Sequence, residues 1–102
     1  MAAARQEKFS KMIQRNLAEV FQKDMVHDFG WEFITISEVE TTGDLGICYI
    51  YLSVLLAKDK EGLLEEVRDA TTKIRHLLGK RIRHQVKTLP ELRFFLDESY
   101  ER

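Results

Sequence analysis

The spacing of apolar residues changes along this chain of 102 residues from a helical period to an alternating one and back, and that order restricts its fold. From residue 5 to about residue 27, apolar side chains recur at steps of three and four, which places them along one face of a helix. The same spacing returns from residue 61 to about residue 86. Thr71, Thr72 and Gly79 have poorer helix propensity, so this second segment is expected to form one bent helix or two short helices.

Three further segments are rich in β-branched and aromatic residues and alternate between apolar and polar side chains. Each of them is predicted to be a strand, and they comprise residues 31–40, 46–56 and 91–97. Thr42, Gly43 and Asp44 supply turn chemistry between the first two strands, which predicts an antiparallel hairpin. Val39 is out of step with the preceding isoleucines, so a β-bulge or a change of face is expected near Glu38.

Three strands of this size can bury a face of their sheet only against another layer. The sequence therefore predicts an α+β fold in the order helix, strand, strand, helix, helix, strand, with the helices packed on one face of a three-stranded sheet. The length fits one domain, residues 1–102, in which Asp59 is expected to cap the second helical segment. The chain has no apolar run long enough to cross a membrane, and its single cysteine cannot form an internal disulfide, so a cytoplasmic protein is expected.

The segment KIRHLLGKRIRHQVK, residues 73–87, holds six lysines and arginines, two histidines and no acid, although the whole chain has a formal charge of only -1. On a helical wheel, one half of the segment is apolar and includes Ile74 and Leu78. The opposite arc, about 100° wide, carries the side chains of Lys73, His76, Lys80, Arg83, His84 and Lys87. Arg75 and Arg81 fall near the apolar sector, so their stems are expected to lie over the core edge while the guanidinium groups reach outward.

This concentration of positive charge exceeds what helix stability explains. The helix macrodipole favours cations in the last turn only, by about 0.3–1 kcal/mol each, and neighbouring like charges repel one another. The basic arc therefore indicates contact with a polyanion. Because the apolar face of the helix is needed to cover the sheet, nucleic acid is a better candidate than a membrane. Docking of an acidic protein surface, without direct RNA binding, stays open as the alternative.

A second, weaker basic patch lies on one flank of the first predicted helix. It consists of Arg5, Lys8, Lys11 and Arg15. Phe95 and Tyr100 are candidates for stacking on bases, although an aromatic residue on the third strand also serves packing. If about six phosphates are neutralised, affinity is expected to fall about a thousandfold between about 50 and 200 mM salt.

The residues that usually carry catalysis or bind metals form no recognisable set. Cys48 lies mid-strand among apolar neighbours and is expected to be a buried, inert thiol. His76 and His84 have no cysteine or acid between them to complete a metal site. We therefore expect a protein that is not an enzyme and that uses no metal, cofactor or small-molecule substrate.

Several motifs together resemble the bacterial ribosome-binding factor A family. In order, they are ITISEVETTGDL, CYIYLSVL and DATTKIRHLLGKRIRHQVKTLPELRFFLDES, and they span nearly the whole chain. The resemblance implies a type II KH-like fold in which a kinked helix pair replaces the usual loop with two glycines. Ala70 and Thr71 would lie at that kink, with Thr72 where the family commonly has glycine, and Arg5 and Lys8 match the basic pair that opens the family's first helix.

The resemblance also implies a function and partners. It implies an assembly factor that binds the free or immature small ribosomal subunit and its ribosomal RNA, and that supports late processing of the RNA 5′ end. The expected state is a cytoplasmic monomer that does not bind membranes. Its expected RNA contacts are Lys73, Arg75, His76, Lys80, Arg81, Arg83, His84 and Lys87, with Arg5, Lys8, Lys11 and Arg15 as the weaker patch.

Overall fold

The computed structural model describes residues 2–29 and 33–98. The chain begins with helix α1 (Ala2–Glu19), which continues into a π-helical segment (Val20–Asp24). Two strands follow, β1 (Thr35–Thr41) and β2 (Ile47–Ser53), then helices α2 (Lys60–Asp69) and α3 (Thr71–Ile82), and finally strand β3 (Glu91–Leu96). The predicted α+β class and element order are confirmed. The first strand begins later than predicted, and residues 31 and 32 lie outside the described residues.

The three strands form one mixed sheet with β2 in the centre. β1 pairs with β2 antiparallel, as the predicted hairpin requires, and β3 pairs with β2 in parallel. The β-bulge lies between Ile36 and Glu38, where the sequence placed it. In the hairpin turn, the Asp44 carboxylate accepts hydrogen bonds from the Thr42 hydroxyl at 2.8 Å and the Gly46 amide at 2.9 Å. Both bonds fix the turn.

The helices cover one face of the sheet and enclose a single apolar cluster. Its fully buried members come from every layer and include Ile13, Leu17, Ile50, Ile74 and Leu78. Burying a side chain of this size stabilises the fold by about 1.5–3 kcal/mol. The helical and alternating periods in the sequence therefore identify the residues that hold the two layers together.

The second helical segment is divided into α2 and α3, which settles the choice between one bent helix and two short ones. The break lies at Ala70, whose backbone angles (φ -91°, ψ 7°) leave the helical region. α2 begins at the predicted cap, because the Asp59 carboxylate accepts a hydrogen bond from the Gly62 amide at 2.9 Å. The regular helix is therefore interrupted without a glycine at the break.

Both long helical segments end earlier than predicted. The first was expected to reach about His27, but its last part, Val20–Asp24, is π-helical and is followed by a turn. The second was expected to reach about Val86, but α3 ends at Ile82. There the Gln85 amide donates a hydrogen bond to the Ile82 carbonyl at 2.8 Å, which turns the chain toward β3.

Side chains from the helices cover backbone groups on both edge strands. On β1, the Gln6 and Gln14 amides donate hydrogen bonds to the carbonyls of Thr41 at 2.8 Å and Ile36 at 2.9 Å. On β3, Arg68 donates from Nε at 3.1 Å and from Nη2 at 2.8 Å to the Phe94 carbonyl. These contacts also fix α1 and α2 in register with the sheet.

Candidate nucleic-acid interface

The predicted basic arc is shorter in the structure than on the helical wheel, because α3 ends at Ile82. The basic residues that lie on α3 itself are Lys73, Arg75, His76, Lys80 and Arg81. Arg83 is the helix C-cap, His84 lies in the turn that follows, and Lys87 lies in the loop before β3. The expectation that His84 and Lys87 continue the helical arc was therefore wrong.

The apolar side of α3 is fully buried through Ile74, Leu78 and Ile82, which fixes the rotation of the helix against the core. That rotation leaves Lys73, His76 and Lys80 exposed to solvent. The basic residues that follow the helix are exposed as well, so the whole group consists of Lys73, His76, Lys80, Arg83, His84 and Lys87. We call this group the basic surface.

Arg75 does not reach outward as expected, because its guanidinium group binds the chain that follows α3. Its Nε donates to the Pro90 carbonyl at 3.2 Å and its Nη2 to the Leu89 carbonyl at 3.3 Å. Gly79 lets the same loop approach the helix, since a Cβ at this position would lie 3.0 Å from the Leu89 Cδ1 atom. Arg75 and Gly79 together hold the loop that presents Lys87.

Arg81 was also expected to reach outward, but its guanidinium group is bound at the surface by acidic side chains of this chain. Its Nε and Nη2 donate to the two carboxylate oxygens of Asp24 at 3.0 and 2.9 Å, and its Nη1 lies 3.4 Å from Glu19 Oε1. The hydrogen bond from Arg81 is the main reason that the pKa of Asp24 lies below its ordinary value. Arg81 thus ties α3 to the end of the first helix.

Lys73 belongs to the basic surface but has an acidic partner. Its Nζ lies 2.5 Å from Asp28 Oδ2. The two side chains keep 56% and 31% of their accessible surface, so solvent reaches both. Exposed pairs of this kind contribute about 0–1 kcal/mol, which leaves Lys73 able to exchange its carboxylate for another anion.

The other members of the basic surface have no hydrogen-bond or ion-pair partner among residues 2–29 and 33–98. They are His76, Lys80, Arg83, His84 and Lys87. Lys80 lies near enough to Asp24 to contribute to lowering the pKa of that carboxyl. The free cations are therefore concentrated at the C-terminal end of α3 and in the loop beyond it.

The second predicted patch lies on the exposed side of α1, and part of it meets the basic surface. Arg5, Lys8, Lys11 and Arg15 are exposed and have no partner in the described part of the chain. Arg5 and Lys87 line the same groove, of about 470 Å³, between the start of α1, the hairpin turn and the loop before β3. The structure thus brings together two cations that are far apart in the sequence.

Cys48 has the environment of a structural thiol. It is fully buried, its Sγ lies 3.5 Å from the Thr41 hydroxyl oxygen, and burial raises its pKa, which disfavours the reactive thiolate. Within the described ranges, no group of three histidine, cysteine, aspartate or glutamate residues could hold a metal ion. No helix in the same ranges is long and apolar enough to span a bilayer.

A family model described as ribosome-binding factor A matches residues 5–102. The chain belongs to the ribosome-binding factor A family. A relative of that name from Cytophaga hutchinsonii is 39% identical over 101 residues, which cover 99% of this chain and 76% of the relative. The resemblance read from the sequence motifs is therefore confirmed.

Solved structures of ribosome-binding factor A share the fold. A solution structure from Thermotoga maritima, described as that factor, has a TM-score of 0.76 and 26% identity, and the match covers 98% of this chain and 93% of the other. A homology model of the Thermus thermophilus factor, fitted into a cryo-electron microscopy map of its complex with 30S, has a TM-score of 0.70 and 23% identity over 87% of this chain and 91% of the other.

Sequence reasoning missed the acidic partners of the basic residues in this member of the ribosome-binding factor A family. Asp28 and Lys73 are 45 positions apart, and Asp24 and Arg81 are 57 apart, so no local pattern links them. Of the two roles weighed for Phe95, base stacking and packing, the structure shows packing, because that ring stacks against Tyr51 on the outer face of the sheet. Tyr100, the other stacking candidate, lies outside the described residues.

Proposed function

We propose that this chain is a ribosome assembly factor that binds the maturing small ribosomal subunit through contacts between its basic surface and ribosomal RNA. It acts without catalysis, as a cytoplasmic monomer built from one KH-like RNA-binding domain over residues 1–102, and it supports late maturation and 5′-end processing of the RNA. One observation carries the proposal: Lys80, Arg83 and Lys87 are exposed together and have no acidic partner in the described part of the chain.

A cluster of basic side chains without ion-pair partners can bind the successive phosphates of a nucleic-acid backbone. Each phosphate that meets a lysine or arginine releases condensed counterions, and this release supplies much of the affinity of nucleic-acid binding. Contacts of this kind fix the position of the RNA more than they read its sequence. An apolar ligand is disfavoured here because the apolar side of α3 is buried in the core.

The roles of the predicted contact residues differ in this proposal. Lys80, Arg83 and Lys87 contact phosphates directly, and His76 and His84 lie beside them as hydrogen-bond donors. Lys73 joins them when it leaves Asp28. Arg75 and Arg81 position the loop and the helix and are not primary contacts.

The patch on α1 extends the same surface. Arg5 lies across the groove from Lys87, so one RNA strand can touch both residues. Lys8, Lys11 and Arg15 continue along the exposed side of α1. Family membership supports a ribosomal partner, and the Thermus thermophilus factor is described as fitted into a map of a 30S complex.

Sedimentation of cell extract tests the proposal. The wild-type protein should travel with free small subunits and not with translating ribosomes. The variant Lys80→Glu/Arg83→Glu should move to the soluble fraction while its circular dichroism spectrum keeps its helical signal, because both side chains are exposed. Its melting temperature should fall modestly, because two cations are lost from the C-terminal end of α3.

The matched control is Lys58→Glu/Arg93→Glu, which reverses two exposed charges outside the basic surface. This control should still travel with small subunits. If both variants leave the subunit equally, general charge explains the binding and the basic surface does not. If an acidic protein domain displaces the wild-type protein as well as an RNA homopolymer does, docking of an acidic protein is the better reading.

A further inference from the structure

The face of the sheet that points away from the helices carries a second ordered set of side chains. In the strand register, Tyr51 lies between Glu38 on β1 and Phe95 on β3. One step along, Tyr49 lies between Glu40 and Arg93 in the same way. Because directly paired residues share a face, these side chains form two parallel rows across the sheet.

The middle of this face is aromatic. The Phe95 ring lies 5.8 Å from the Tyr51 ring, in a stacked arrangement, and 6.2 Å from the Tyr49 ring. Arg68 lies 5.7 Å from the centre of the Phe95 ring, and Arg93 lies 5.9 Å from that of Tyr49. The rings already contact guanidinium groups of this chain, which is the contact expected between a cation and an aromatic face.

The charged side chains on this face that have no ion-pair partner in the described residues are acidic. Arg93 is paired with Glu91, and Arg68 is held by Glu65 and a backbone carbonyl. Glu38 and Glu40 are exposed and have no ion-pair partner in the described part of the chain. The hydrogen bond with Glu40 is also the main cause of the raised pKa of the Tyr51 hydroxyl.

We infer that this face binds an extended segment of another protein that is rich in arginine or lysine. The segment crosses the strands so that its cations lie over the rings of Tyr49 and Tyr51 and reach the carboxylates of Glu38 and Glu40. The partner is inferred from this chemistry alone. The inference goes beyond RNA binding, because it assigns a different class of partner to the opposite side of the molecule.

Charge decides between this partner and two others. RNA would bring phosphates against Glu38 and Glu40, while the arginines that could offset the repulsion already have partners. A second copy of the chain, packed face to face about a two-fold axis parallel to the strands, would set Glu38 and Glu40 opposite β3 of the other copy, where Arg93 is already paired with Glu91. A basic peptide satisfies the carboxylates and the ring faces together.

Fluorescence anisotropy with a labelled peptide tests the inference on the full chain. The probe is an eight-residue peptide of alternating arginine and glycine, and its control has citrulline in place of each arginine, which removes the charge and keeps the shape. The arginine peptide should bind at least about tenfold more tightly than the citrulline peptide, since two ion pairs and two cation–ring contacts are lost in the control.

Two sets of variants locate the site. Glu38→Gln/Glu40→Gln should weaken binding of the arginine peptide about fivefold. Glu61→Gln/Glu66→Gln removes the same charge from the exposed side of α2 and should leave binding within about twofold. Tyr51→Leu keeps both carboxylates and should weaken binding by about threefold through the lost ring contact.

The remaining outcomes would overturn the inference. Equal losses in the two glutamine variants would mean that the peptide senses net charge only. Amide chemical-shift changes on β2 and β3 caused by an RNA hairpin, or by raising the concentration of the protein alone, would assign the face to RNA or to a second copy. Binding of the RNA hairpin to the basic surface should be unchanged in Glu38→Gln/Glu40→Gln, which separates failure here from failure of the proposed function.

Discussion

Replacing Lys80 and Arg83 by glutamine removes two of the free cations that the structure places together, and it should change how RNA binding depends on salt. Four cations on or beside the basic surface have no acidic partner in the described residues, namely Lys80, Arg83, Lys87 and Arg5. For duplex RNA we take the slope of log affinity against log salt as about -0.9 per phosphate neutralised, the value for double helices, and for single strands as about -0.7.

Four contacts therefore give a slope between about -2.8 and -3.6, and a fall in affinity of about 50- to 150-fold between about 50 and 200 mM salt. This is smaller than the thousandfold effect expected from six contacts, because Lys73 and Arg81 are paired with carboxylates and Arg75 binds backbone carbonyls, while Arg5 adds one contact. The double variant, with two cations left, should have a slope no steeper than about -1.8 and lose only about 12-fold over the same range.

The assay is fluorescence anisotropy with a labelled RNA hairpin at several salt concentrations. Lys58→Gln/Arg93→Gln is the control of equal charge and should keep the wild-type slope. A wild-type slope near -5 would show that further cations contact phosphates, either Lys73 and Arg81 after leaving their carboxylates or the exposed cations of α1 beyond Arg5. A slope shallower than about -1, or one that the Lys80→Gln/Arg83→Gln change does not alter, would refute the argument from unpaired cations.

Three smaller predictions concern acidic residues. Asp28→Asn releases Lys73 and should tighten binding of the same RNA hairpin about two- to fivefold, at a cost of less than about 1 kcal/mol in urea unfolding; unchanged affinity would mean that Lys73 takes no part. Because Arg81 holds the pKa of Asp24 below its ordinary value of 3.8, their pair stabilises the fold above about pH 4 and is lost as pH falls through the lowered pKa. Arg81→Gln should therefore flatten the loss of unfolding free energy in acid, and an unchanged pH profile would contradict this. Asp59→Ala should lower the unfolding free energy by about 1 kcal/mol through the lost cap, while a change near zero would argue against the cap.

Much of the fold was predictable because short-range patterns determine it. The three-to-four residue spacing and the alternating segments identified the helices and strands, since each pattern states which side chains share a face. The bulge near Glu38 followed from one apolar residue out of step, and the cap at Asp59 from its place before a helical period. Each of these features depends on a few neighbouring residues.

The end of α3 was not predictable from the same patterns. The helical period continues to Val86, so a wheel that extends to this residue places His84 and Lys87 on the helix. The chain turns earlier because β3 must lie in parallel beside β2, and Arg75 binds the carbonyls of Leu89 and Pro90. These long-range contacts outweigh the helical period of the local sequence, so α3 ends at Ile82 and not near Val86.

The acidic partners of the basic residues were equally unpredictable from the sequence. The sequence gives the number of charges in residues 73–87 but not the positions of acids that fold against them. The turn after the π-helical segment brings Asp28 to Lys73, and the segment itself brings Asp24 to Arg81. Only the exposed basic residues without acidic partners support the candidate site. Counting the charges in the sequence therefore overestimated the number of cations that are free to bind phosphates.

The side chains that cover the two edge strands also affect how this protein behaves at high concentration. An uncovered edge strand offers a template on which a strand of a foreign or misfolded chain can add, the step from which fibrous aggregates grow. Here an incoming strand must first displace Gln6 and Gln14 on one side or Arg68 on the other, at about 1 kcal/mol for each hydrogen bond lost. These contacts therefore raise the free-energy cost of adding a strand at either edge of the sheet.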